Sequence, residues 1–339
     1  MRWRDEKAAF LIVRNAAFYY DQPMMSTELP DSAVMSAIAA RRDLWPLAGA
    51  AQHAIFNQAS PHIGPTLQAY NLQQRGLTFA LIQANLYAPG PVSGERIQER
   101  FPFSAPHAWE KLLLQLATLG YLDRASGLQQ FVLNEAGQAA YGAFRDALNA
   151  ILETPGRSIQ AGDLTELRQL LTTIIAAALE ADHLAGGGHH LRRFWAKRPA
   201  GLSPLHDVDY LLDCLNAYRD DAHLTSFLPL DIPGYTWELF TFIWRGQLTD
   251  IVDLADRLGP FRGYDARTYH QGLMELVGKG WVRLNEGGPY QLTEEGLAIR
   301  ETAEAETDHD FYLPWLVLSD AETDAVRRHL TAIRDTLEE

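Results

Sequence analysis

The sequence predicts a mainly α-helical protein with small β-wings, and three observations predict it. Apolar residues recur at helical spacing through most of the chain. Strand-like runs are confined to pairs of short segments around glycine-containing turns. The chain also matches itself: Thr78, Phe79, Leu81, Ile82, Leu86 and Phe103 return 158 residues later as Thr236, Trp237, Leu239, Phe240, Trp244 and Phe261. The offset becomes 160 for Trp109, Leu113, Leu116, Gly120 and Tyr121 against Tyr269, Leu273, Leu276, Gly280 and Trp281. It is 159 for Phe131, Leu133, Glu135 and Gly137 against Tyr290, Leu292, Glu294 and Gly296. It changes only between blocks, where loops absorb insertions.

The elements follow in order. Residues 26–60 read as one or two helices around 33–42 and 48–55. In the first copy, Leu77 to Tyr87 is an apolar helix stopped by Pro89-Gly90-Pro91, and Ser93 caps a short helix through Arg100. Ser104 is the next cap candidate, and Trp109, Leu112, Leu113 and Leu116 form the stripe of a third helix ending at Gly120. Tyr121-Leu122 and Phe131-Leu133 flank Ser126-Gly127 as a hairpin. The second copy repeats the plan, with a short helix from Asp250 to Leu258, a third helix capped by Asp265, and a hairpin of 281–284 and 290–292 around 285–289. Three helices followed by a two-stranded hairpin describe a winged helix-turn-helix. The chain thus divides into an N-terminal helical extension (1–60), a first repeat (61–154), a helical linking region (155–229) and a second repeat with its closing helices (230–339). The linking region reads as helices from Asp163 to about Leu184 and from Asp207 to about Leu224. Residues 1–24 differ in character, and MMSTELPD at 24–31 would make a chain start.

Composition narrows the function. Apolar residues make up 47% of the chain and the only cysteine is Cys214, which excludes an intramolecular disulfide and a Cys-rich metal centre. The longest apolar runs are too short to span a bilayer, and Arg14 interrupts any leader, so the expectation is a cytoplasmic protein without membrane contact. A net charge of −14 leaves nucleic-acid binding to a local basic face. No G-x-S-x-G, Walker or G-x-G-x-x-G motif is present, so neither an enzyme nor a cofactor is expected.

Residues 290–337, YQLTEEGLAIRETAEAETDHDFYLPWLVLSDAETDAVRRHLTAIRDTL, contain a wing strand, an LTEEG helix start and a closing LS-x-x-E helix. This pattern resembles the winged-helix regulators of the multiple-antibiotic-resistance (MarR) family, and the resemblance covers about residues 235–338, with FVLNEAG at 131–137 a weaker counterpart. It implies a dimeric transcriptional regulator that binds duplex DNA, third helix in the major groove. The candidate contacts are then Arg267, Thr268, His270 and Gln271 on the second copy's third helix, with Arg283 beside its wing. The first copy offers His107, Ala108, Glu110 and Lys111, of which Lys111 is the candidate contact, and both wings are poor in basic residues. Two copies in one chain suit either a monomeric pseudo-dimer or a homodimer formed through the final helix.

Three further constellations stand out. Basic and aromatic residues interleave at 189–198, where Arg192 and Arg193 are candidates for the nucleic-acid backbone, the alternative being a linker paired with surplus carboxylates. Trp237, Phe240, Trp244, Phe311 and Trp315, with Phe242 and Tyr312, offer a pocket for a small apolar effector or simply core. His183, His189, His190, His206 and His223 lack metal-site spacing, and the stripe Asp209, Asp213, Asn216 and Asp220 reads as the solvated face of an amphipathic helix, so no metal is expected. The alternative function is a winged-helix protein without DNA binding, acting as an interaction or ligand-binding module.

Overall fold

The computed structural model describes residues 32–127, 129–181, 184, 188–284 and 290–338. The expected chain start at 24–31, His183, Gly186, Gly187 and the second wing tip at 285–289 lie outside the described residues. Helices α1 (Ser32–Ala39), α2 (Leu44–Ala59) and α3 (Gly64–Ala69) lead into α4 (Leu77–Tyr87), α5 (Gly94–Gln98) and α6 (Pro106–Thr118). The hairpin β1 (Leu122–Arg124) and β2 (Phe131–Leu133) follows, then α7 (Glu135–Gly156) and α8 (Ala161–Glu180). The same order then returns in α9 (His189–Ala196), α10 (Pro204–Phe227), a 3-10 turn at Leu228–Leu230, α11 (Gly234–Trp244), α12 (Ile251–Arg262) and α13 (Ala266–Gly278). It closes with β3 (Val282–Arg283), β4 (Gln291–Leu292), α14 (Glu294–Tyr312) and α15 (Asp320–Glu338). The recurrence of elements therefore reaches beyond the helix-and-wing segments: α9 and α10 stand where α1 and α2 stand in the first half.

Local chemistry fixes the corresponding ends alike. Asn134 and Thr293 each accept the N–H three residues on, from Gly137 and Gly296, and each donates back to a glycine carbonyl, Gly120 or Gly280. Tyr121 and Trp281 donate to Leu116 and Leu276 at the ends of α6 and α13. Gly137 and Gly296 are required because a Cβ at either would strike the carbonyl oxygen of Tyr121 or Trp281. Both hairpins are antiparallel, with Leu122 opposite Leu133 in one and Val282 opposite Leu292 in the other. Ser319 and Glu322 form a reciprocal capping box that starts α15. The expected cap at Ser104 is replaced by Ala105, because Ser104 is buried against Arg262.

Three apolar clusters organise the described residues. One lies within each helix-and-hairpin module, around Leu81, Leu113 and Phe131 in the first and Trp237, Leu273 and Trp281 in the second. The largest joins the halves: α15 packs on α2, and α8 packs on α10. These two contacts correspond to one another, each joining the last helix of one half to the second helix of the other. Residues 155–229 thus supply the centre of the molecule and do more than link two modules.

Candidate functional site

Helix α13 presents the polar face anticipated from the sequence. Asp265 caps its start, accepting from the Thr268 backbone at 2.9 Å and from the Thr268 hydroxyl at 2.7 Å. The Thr268 hydroxyl is therefore committed to the cap. Those same bonds hold the Asp265 carboxyl below its ordinary range. Tyr269, Leu273 and Leu276 face the core, leaving Arg267, His270, Gln271 and Met274 on the exposed side. Arg283 is exposed on β3 and donates to Gln291 across the hairpin at 2.8 Å.

Helix α6 has a different environment. The turn ahead of it meets the matching turn of the second half: Ala105 N–H donates to the Arg262 carbonyl at 2.7 Å, and Arg262 donates to Ser104 Oγ at 3.3 Å. Ser104 and Arg262 are separated by the repeat spacing of 158 residues. Equivalent positions therefore touch across a local axis. The neighbouring contacts are reciprocal as well, with Gly234 against the Pro102 carbonyl and the Arg75 guanidinium 3.1 Å from the Phe261 ring centre. His107 and Ala108 approach Gly263 at the same junction, so the first turn of α6 is covered by the second half. Lys111 remains exposed. Arg262 is held at 2.7 Å from Glu238, whose carboxyl is raised by burial against the opposing pull of Arg262.

The basic run 189–198 forms α9, and its charges are partly used within the fold. Arg198 makes a forked contact to buried Asp207, which Arg168 also reaches at 2.6 Å. Arg193 lies 3.9 Å over the Tyr87 ring, while exposed Arg192 donates to the Leu179 carbonyl. Asp221 accepts from the backbones of His190 and Leu191, fastening the start of α9.

The aromatic candidates fill space. Trp237 and Phe240 are fully buried in the second module, Phe311 and Trp315 in the central cluster, and Trp244 is half-buried beneath the Arg300 guanidinium. Trp237 donates to His223 Nε2 at 3.1 Å, so His223 is neutral and turns Nδ1 to Thr307. Burial holds its pKa well below the ordinary value.

The principal cavity, about 1060 Å³, lies in the first half. Its walls come from α4, α6, α7 and α10, and it reaches the Gly259–Gly263 turn ahead of α13. The α10 stripe faces this cavity, contrary to its reading as a solvated face: Asp209 is 2% exposed and Asn216 5%. The helix is buried on nearly all sides, because α8, α9 and α14 cover the rest of it. Asp213 accepts from Gln52 at 2.8 Å and Asp220 from Arg100 at 2.7 Å. Burial raises the Asp220 carboxyl despite Arg100. Cys214 is fully buried, and burial pushes its thiol up. No group of three or more His, Cys, Asp or Glu among the described residues is arranged to hold a metal, and no described helix is long and apolar enough to cross a membrane.

Sequence reasoning missed Gln83, Trp109 and Asn216 as cavity residues. Gln83 had a signal, being a carboxamide in the middle of the otherwise apolar LTFALI-ANLY run. No curated protein and no solved structure matches the chain. The second half, over residues 181–339, is similar to a helix-turn-helix family whose sequence model it matches.

Proposed function

We propose that the chain is a DNA-binding transcriptional regulator of MarR-like winged-helix type, built as a duplicated, dimer-like unit and responsive to a small effector. The exposed face of α13 carries the reading: Arg267, His270 and Gln271 project from a capped helix inside the half that matches a helix-turn-helix family. Such side chains donate to base edges and phosphates, and Arg283 stands on the adjoining hairpin. The α6 face is covered at its first turn, so α13 is the reading helix. With equivalent turns in contact, the two third helices begin too close together for successive major grooves, which lie roughly 34 Å apart. One chain therefore reads with one helix.

The reciprocal packing of α15 on α2 and α8 on α10 favours the monomeric pseudo-dimer, because the final helix buries Val326, Leu330 and Ile333 within its own chain. The test is fluorescence anisotropy against the chain's own upstream intergenic DNA at two salt concentrations, with a scrambled competitor. Sequence-specific, salt-sensitive binding is expected, and replacing both Arg267 and His270 by alanine should abolish it. Unchanged specific binding in that variant would remove α13 from the reading. The competing reading, a protein-interaction module, draws on the net charge of −14 and on Leu114 and Met274, equivalent outward positions that are each 46% exposed. Binding that ignores salt and DNA sequence would favour it.

A further inference from the structure

We infer that the first-half cavity is the effector site, and that it takes an uncharged, mainly apolar ring system bearing a hydrogen-bond acceptor such as a carbonyl. The volume of about 1060 Å³ is ample for a drug-sized molecule. Phe79, Ile82, Leu86, Leu112, Phe144 and Leu148 give it an apolar wall. Three buried polar groups in that wall lack hydrogen-bond partners: Gln83 Nε2, Trp109 Nε1 and Asn216 Oδ1. Their residues are 2%, 5% and 5% exposed. Buried donors and acceptors are nearly always satisfied in folded proteins, so two open donors and one open acceptor facing one cavity describe the complement of a ligand. The Asn216 amide nitrogen is already committed, donating to Gln52 at 3.0 Å, which leaves its oxygen to receive a hydroxyl or N–H.

The charged groups of the wall argue for neutrality. Asp220 is paired with Arg100 and Arg145 with Asp146, and the deep α10 side adds Asp209 and Asp213 while Lys111 sits at the exposed edge. A carboxylate ligand would meet the α10 carboxylates, and an ammonium would meet Arg75, Arg100 and Arg145. The second half provides the contrast. At the positions of Phe79, Ile82, Leu86 and Tyr141 it carries Trp237, Phe240, Trp244 and Arg300, which occupy the corresponding space. Because the cavity touches both the start of α6 and the turn before α13, a ligand there bears on the reading helix. That consequence rests on the DNA-binding reading above, whereas occupancy of the cavity does not.

The test uses the full chain without DNA and four probes on one skeleton: fluorene, 9-fluorenone, fluorene-9-carboxylate and the ammonium form of 9-aminofluorene, by isothermal titration calorimetry. Fluorenone should bind saturably at one site, about tenfold or more tighter than the other three, since one hydrogen bond to a buried donor is worth about that factor. Gln83→Leu and Trp109→Phe should each weaken fluorenone about tenfold and leave fluorene unchanged, fluorene serving as the check that the cavity is intact. Fluorenone binding no tighter than fluorene, either ion binding more tightly, absence of saturable fluorenone binding, or variants that leave the fluorenone-to-fluorene ratio intact would each overturn the inference. A failure of DNA binding in the anisotropy experiment leaves these outcomes unaffected.

Discussion

Tyr141 and Arg300 hold the same place in the two halves, early in the long helix after each hairpin, yet one lines a cavity and the other closes a core. Arg300 is fully buried, 4.0 Å over the Trp237 ring, and reaches Glu304 at 2.6 Å. Its environment raises the Glu304 carboxyl, burial outweighing the attraction of Arg300. In the first half the position of Glu304 is taken by Arg145, which pairs outward with exposed Asp146. The order of helices is shared, while side-chain volume and charge decide whether the interior of a half is filled or open. The filled half keeps an exposed reading helix, and the open half has the first turn of its third helix pressed against its neighbour.

The largest test of this contrast is to remove the carboxylates and guanidinium that differ. Glu304→Ala strands a fully buried guanidinium, and the expected loss is roughly 3–5 kcal/mol, enough to unfold a marginal domain. Arg145→Ala at the equivalent position removes a surface pair and should cost about 1 kcal/mol or less. Urea unfolding of the two variants reads the difference. Equal losses would mean that the halves are packed alike and that the cavity is not a distinguishing feature.

The glycine pair tests the opposite proposition, that the hairpin ends are built identically. Gly137→Ala and Gly296→Ala each drive a methyl group into a backbone carbonyl that has nowhere to move, so each should cost about 1–3 kcal/mol. The two losses are expected to agree within roughly 0.5 kcal/mol, the usual scatter for independent sites. A large loss at Gly296 beside a negligible one at Gly137 would show that the first hairpin end can relax where the second cannot.

How much of this was legible in the sequence follows from where the information lies. The caps at Ser93, Asp250 and Asp265, the stop at Pro89-Gly90-Pro91 and the apolar stripe through Trp109, Leu113 and Leu116 are local signals, and the elements they mark are present. The exposed face of α13 is legible for the same reason, since periodicity alone tells which side is wet. The fate of the α10 stripe is not. Asp209, Asp213, Asn216 and Asp220 have the spacing of a solvated face, and only the arrival of α4, α6 and α7 from residues far away in sequence turns that face inward. Likewise Trp237, Phe240 and Trp244 mark a place in the fold where a pocket occurs, but their bulk fills it in the half that carries them. Helix α9 was read as a linker because His189–Ala196 is dominated by charged groups, and its anchor, Asp221, lies about thirty residues on in another helix.

That anchor supplies the smallest of the expected effects. Asp221 accepts from two backbone N–H groups of α9 and lies 4.0 Å from the His190 ring, whereas the equivalent first-half position is Ile63, which has no carboxylate to offer α1. Burial, with Arg100, His189 and Arg193 nearby, lowers the His190 pKa to about 2. Burial raises Asp221 to about 6 against its backbone bonds and Arg100. A histidine depressed in the folded state contributes stability that is complete above its unfolded value near 6.5 and is lost as pH falls below it. A carboxyl raised in the folded state acts oppositely, gaining relative stability as pH falls from about 6 towards its unfolded value near 3.9. Between pH 6 and 4 the two slopes oppose each other in the native chain. His190→Asn keeps Asp221 and removes one slope, so its stability relative to the native chain should rise as pH falls below 6.5, by at most about 1.4 kcal/mol per unit. Urea unfolding at pH 7, 6 and 5 reads this directly. Parallel pH profiles would mean that the start of α9 opens to solvent as freely as a surface helix, and the fastening by Asp221 would then cease to distinguish the second half from the first.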